Sequence, residues 1–229
     1  MDNLTAHKAS EYDQKVRQTI PFYDTIRTEA IRLAKAIQPD PKCWVDTGCG
    51  TGCFVQRALL TFPNTRFILA DPAEAMLVQA RARLAGNTAH RLTILPAADS
   101  ASLTSKIPRG IADVVTAILC HHYLQMEGRR QALQACFDLL APGGLFIGFE
   151  NTAPRTADGT QVGIKRWRAF QLAEGRPQNE VDQHLSRYGT EFFPITVEQH
   201  LELLAQIGFR VVELLWFSHM QVGFYGIKS

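Results

Sequence analysis

One stretch limits the fold of this chain more than any other: Cys43-Trp44-Val45-Asp46-Thr47-Gly48-Cys49-Gly50-Thr51-Gly52-Cys53-Phe54. A short apolar run ends in an acid, glycines follow at every second position, and an amphipathic stretch begins. Glycines at that spacing let the backbone take positive φ and let a ligand approach the main chain. The helix that follows turns its free N–H groups toward the same place. The stretch therefore reads as strand, tight turn and helix N-terminus, a nucleotide-type cradle at the carboxyl end of a parallel strand.

The spacing is G-x-G-x-G, whereas dinucleotide folds use G-x-G-x-x-G. Asp46 would oppose a pyrophosphate but suits an ammonium or sulfonium. A second apolar run, Phe67-Ile68-Leu69-Ala70, ends in Asp71, and an acid there accepts hydrogen bonds from ribose hydroxyls. The run from Val45 to Gly52 together with Asp71 resembles the class I S-adenosylmethionine (SAM) dependent methyltransferases. The resemblance covers about residues 40–229. It implies a SAM cofactor and an α/β fold: a seven-stranded Rossmann-like sheet, mostly parallel with the last strand antiparallel, helices on both faces, and a small helical lid. It assigns to the cofactor Asp46, Gly48, Cys49, Gly50 and Gly52 in the turn, Asp71, Pro72 and Met76 after the second strand, Asp99 and Ser100 after the third, and Ile118 at the end of the fourth.

The rest of the chain fits this reading. Tyr12, Val16 and Ile20 predict one helix before Pro21, and Ile26, Ala30, Leu33 and Ile37 predict a second after it. In the family such an amino-terminal segment closes over the cofactor, which makes Tyr12, Lys15 and Tyr23 candidates for cofactor or substrate contact, with Arg17 beside them. Ala112–Ala117 is a strand running out into Ile118-Leu119-Cys120-His121-His122-Tyr123. The carboxyl ends of central strands form the crevice of such folds, so His121, His122 and Tyr123 are the candidates for catalysis. An unperturbed histidine takes a proton near neutral pH. A helix at about 128–140 is stopped by Ala141-Pro142-Gly143-Gly144, and Leu145–Glu150 is the fifth strand. Residues 151–190 carry two further helices, and Lys165, Arg166, Arg168, Arg176 and Arg187 make them basic, which suits an anionic substrate or a solvated face. Helical spacing puts His184, Arg187 and Tyr188 on one face as further substrate candidates. Thr196 and Gln199 form a capping box, and two closing strands end the chain. The expected divisions are an N-terminal helical cap (1–40), a SAM-binding core (41–150), a helical lid insertion (151–195) and a C-terminal helix and strand pair completing the core (196–229).

Composition narrows the partners. A net charge of +2 implies no general polyanion-binding surface, and no apolar run approaches the roughly 20 residues that span a bilayer. The five cysteines form no C-x-x-C pair and read as reduced thiols of a cytoplasmic protein, with no metal. The start (Tyr12–Val16) and ending (Glu213–Phe217, Gly226–Lys228) are also loosely similar to the carboxy-SAM synthase branch, whose glycine turn reads differently. A plain methyl donor is the favoured reading and a small molecule the default acceptor. Transfer RNA stays open because that branch serves its modification, and a homodimer through the lid or edge strands stays open too. The alternatives are a non-catalytic SAM-binding protein and a nicotinamide-dependent oxidoreductase. The glycine spacing and the closing strand pair disfavour the latter.

Overall fold

The computed structural model describes residues 2–86 and 89–229. Its centre is β1 (Cys43–Asp46), buried along its whole length as a parallel strand covered on both faces must be. It pairs in parallel with β2 (Arg66–Leu69) and with β4 (Ala112–Ile118). The sheet continues through β3 (Leu92–Ile94), β5 (Leu140–Asn151), β6 (Val211–Ser218) and β7 (Gln221–Ile227) in the order β3-β2-β1-β4-β5-β7-β6. The strand β7 is antiparallel to both its neighbours, as expected for the last strand. The order reverses between β1 and β4, so their carboxyl ends open the crevice at the switch point.

Two apolar layers sandwich the sheet. One is supplied largely by α2 (Tyr23–Ile37), α3 (Cys53–Thr61) and the paired helices α6 (Ala157–Ala173) and α7 (Gln178–Leu185). The other includes α5 (Met126–Leu139) and α8 (Val197–Ile207). Helix α4 (Glu74–Leu84) buries Met76, Leu77, Ala80 and Leu84. The Thr196–Gln199 capping box starts α8, and Gly208 ends it at φ 115°. Among the described residues, no helix is long and apolar enough to cross a membrane.

Three expectations are corrected. The stripe Tyr12–Ile20 is not one helix: α1 spans Tyr12–Lys15 and tightens into a 3-10 turn at Val16–Gln18. No side chain caps α1, and an uncapped turn ahead of a proline has little to propagate it. Pro142-Gly143-Gly144 does not cap α5. Leu140 already pairs with Ala112, and the pairing register then shifts, so the glycines form a bulge inside β5. Gly143 takes φ 76° there. Finally, α7 ends at Leu185, which leaves Arg187 and Tyr188 in the following turn.

Candidate functional site

The glycine turn is closed by an acid from the neighbouring strand. Asp71 is buried at the exit of β2. Its Oδ2 accepts the Gly50 N–H and its Oδ1 the Ala73 N–H, each at 2.9 Å. Burial raises its pKa, against the pull of these two bonds. Gly50 takes φ 52° with open space where a side chain would stand. Gly48 is required for a different reason: a Cβ there would lie 2.5 Å from Cys120 Cβ. Gly52 takes φ 74° and packs on Ala80 and Leu84.

A cavity of about 400 Å³ lies over this turn. Eight of the expected cofactor residues line it: Gly48, Gly50, Asp71, Pro72, Met76, Asp99, Ser100 and Ile118. Asp99 also caps the 3-10 helix Ser100–Ser105, accepting from Ser102 N–H at 2.9 Å. Asp46 and Cys49 face a smaller cavity of about 40 Å³ behind the turn, together with Tyr12, Tyr23 and Arg27. Gly52 lines neither cavity.

The smaller cavity is electrostatically unfinished. Arg27 is 3% exposed. One Nη donates to Tyr23 Oη at 2.9 Å, and the other is buried 3.7 Å from an Asp24 oxygen without a hydrogen-bond partner among the described residues. Opposite, burial drives Asp46 up to about 7, against a 2.6 Å bond from Thr116 Oγ1. A buried guanidinium N–H and a buried carboxyl that share one small cavity each pay for desolvation. An amino-acid zwitterion would complete both, its carboxylate on Arg27 and its ammonium on Asp46. The residues thus fit the amino-acid end of SAM, with the larger cavity left for the nucleoside.

The catalytic candidates separate by their partners. The Ser100 hydroxyl donates to Thr47 O at 3.0 Å and lies 2.9 Å from His121 Nε2. Its proton is committed, so His121 donates to it. Burial lowers the His121 pKa to about 4, so His121 is a neutral clasp between the β4 exit and the glycine turn. His122 is held by Glu150, 1% exposed at the end of β5. Glu150 accepts the backbone N–H groups of His121 and His122 at 2.9 and 2.8 Å. Its third bond is from His122 Nδ1 at 2.7 Å. Burial opposes ionisation of Glu150, but the His122 hydrogen bond and the nearby positive charge outweigh it and hold the carboxyl at about 2. A carboxylate only accepts, so Nδ1 carries a proton and Nε2 is left without a hydrogen-bond partner among the described residues. Burial raises the Tyr123 phenol above its ordinary value, so Tyr123 stays protonated.

His122 faces a narrow cavity of about 30 Å³, alongside Tyr123, Asn151, His184 and Arg187. Tyr12 and Leu119 line this cavity and both of the others, so the three converge there. Leu119 takes φ 56°, costly for a side chain with a Cβ, and donates to Phe149 O at 2.6 Å. Lys15, His184 and Arg187 also line a fourth cavity, between the amino-terminal segment and α7. Tyr188 lines none of the four; its ring packs edge-on against Phe192 at 5.8 Å. Arg27, Glu150 and Leu119 carried no site assignment in the sequence reading.

A methyltransferase-domain family model matches residues 45–146. The carboxy-S-adenosyl-L-methionine synthase of Trichodesmium erythraeum is 25% identical over 99% of this chain and 88% of its own length. That of Wolinella succinogenes is 27% identical over 91% and 85%. Among solved structures, phosphoethanolamine N-methyltransferase 2 of Haemonchus contortus, in complex with SAM, superposes with a TM-score of 0.66 at 13% identity. That match covers 98% of this chain but 57% of the longer one, and at such identity it shows the fold alone. The domain match over the crevice-forming strands and the relatives along nearly the whole length, on a shared seven-stranded topology, support a class I S-adenosylmethionine-dependent methyltransferase.

Proposed function

We propose that the chain transfers the SAM methyl group to a small-molecule acceptor at the junction between Tyr12 and Leu119. The observation that carries this is the convergence of three cavities on those two residues. Asp71, Asp99, Met76 and Ile118 hold the nucleoside on one side, and Arg27, Tyr23 and Asp46 hold the amino-acid end behind the glycine turn. The acceptor enters from the third side, under residues 2–20 and the 151–195 segment acting as a lid. When bound, SAM supplies an electrophilic methyl carbon on a cationic sulfur. The chain's own contribution is then orientation, exclusion of water under the lid, and proton removal where the acceptor needs it. His122 Nε2 takes that proton, and Glu150 is a positioning residue that fixes the tautomer and stabilises the imidazolium.

A second reading, carboxy-SAM synthesis, is supported by the names of the relatives at 25–27% identity. It would use the same cofactor cavities with a different small molecule on the acceptor side. The narrowness of that side supports a small molecule over transfer RNA in either reading.

Titration calorimetry with SAM tests the cofactor assignment. Wild type is expected to bind one SAM per chain, and Arg27→Met to bind it about tenfold or more weakly through loss of a charged hydrogen bond. Equal affinity in the two proteins would remove Arg27 from the site.

A further inference from the structure

The fourth cavity, of about 290 Å³, lies between the amino-terminal segment and the lid and is separate from the two cofactor cavities. Lys8 and Lys15 face it from one side and Arg176 and Arg187 from the other, against the two acids Glu11 and Glu180. Four formal positive charges thus meet two negative ones. His7 and His184 complete the wall. Burial first, then Arg176, lowers them to about 4 and about 3, so both are neutral donors or acceptors at pH 7.

Arg176 is the unusual member. Its side chain is 3% exposed. One Nη donates to Gln171 Oε1, the other lies 3.6 Å from Glu180 Oε2, and Nε is buried with no partner among the described residues. Arg187, by contrast, is engaged: Nε donates to Glu191 at 2.7 Å and Nη2 to Leu4 O at 2.6 Å. Burying a guanidinium with an unused donor costs free energy that an acceptor oxygen would recover. Its planar fork matches carboxylate and phosphate oxygens. Of the remaining lid cations, Lys165 and Arg166 are solvent-exposed, the ordinary place for a charge. The chamber shares His7, His184 and Arg187 with the narrow cavity lined by His122, so the two adjoin.

We infer that this chamber recognises an anionic group, carboxylate or phosphate, on the small acceptor, with Arg176 as its anchor, Lys15, itself paired with Glu11 at 2.7 Å, adding charge at the rim, and the rest of the acceptor extending toward His122. The link to an acceptor rests on the proposed transfer reaction, whereas the anion site itself does not. Titration calorimetry of the full chain with malonate and with inorganic phosphate, at ionic strength held constant with chloride, reads it directly. Saturable binding of at least one anion is expected, and the tighter of the two identifies the group. Arg176→Gln is expected to weaken that binding about tenfold or more while SAM affinity stays at the wild-type value. Arg176→Lys, which keeps the charge but loses the fork, and Lys15→Gln, at a side chain 41% exposed, retain the fold and are each expected to weaken it severalfold. No saturable binding of either anion, or affinity unchanged in all the variants, overturns the anion site. Anion binding without SAM binding would instead overturn the transfer reaction and leave the anion site standing.

Discussion

Replacing Glu150 with glutamine tests the buried support of His122. The carboxyl is held at about 2 against an ordinary 4.5, which at about 1.4 kcal/mol per pKa unit represents roughly 3 kcal/mol of stabilisation of the ionised form. The shift is downward, so this stabilisation is complete above about pH 4.5 and is lost as pH falls toward about 2. A second route gives a similar size. Three donors converge on the carboxylate, and a glutamine keeps one acceptor oxygen while turning an NH₂ group toward them. At least one buried N–H is left unpaired, at a cost of about 1–3 kcal/mol. Glu150→Gln is therefore expected to lose about 2–3 kcal/mol at pH 7 in urea unfolding, and about 4–12 °C in Tm for a chain of this size. A variant within about 0.5 kcal/mol of wild type would refute the reasoning, because that is the range of surface substitutions away from such features.

Burial holds Asp46 protonated up to about 7, and only its ionised form pairs with an ammonium group. SAM affinity should therefore rise between about pH 5.5 and about pH 7.5, and Asp46→Asn should flatten the profile; a flat wild-type profile would contradict the assignment. Gly48→Ala drives a methyl onto Cys120, 2.5 Å from its Cβ, and should cost about 1–3 kcal/mol in urea unfolding; adding Cys120→Gly should restore part of it, and a neutral Gly48→Ala would refute the packing argument. Asp71→Ala removes the acceptor for Gly50 and Ala73 and should weaken SAM binding about tenfold or more; unchanged affinity would remove Asp71 from the ribose site.

What was legible in the sequence was whatever obeys local rules. The glycine turn, the acids at two strand ends and the Thr196–Gln199 box were readable from motif and spacing, and the parallel sheet follows from the alternation of strands and helices. What escaped depends on long-range partners. Glu150 ends an apolar run and reads as the edge of a strand until its two histidines, nearly 30 residues earlier in the chain, are folded against it. Arg27 lies three and seven residues before Ala30 and Ala34, a spacing that placed it on the buried face of α2, but a polar residue beside an apolar stripe reads as its border. Tyr188 differs the other way: α7 ends at Leu185, so helical spacing does not extend to Tyr188, whose ring packs against Phe192. Nothing in the residue type at position 119 announces a positive φ, since leucine disfavours it.

The central claim is that the glycine turn and its two cavities bind SAM. Native mass spectrometry after incubation with equimolar SAM and NADH, followed by desalting, tests it most directly. The account predicts one adduct per chain with the mass of SAM, absent from Asp71→Ala and reduced in Arg27→Met. An NADH adduct, or a chain that retains neither, would contradict it.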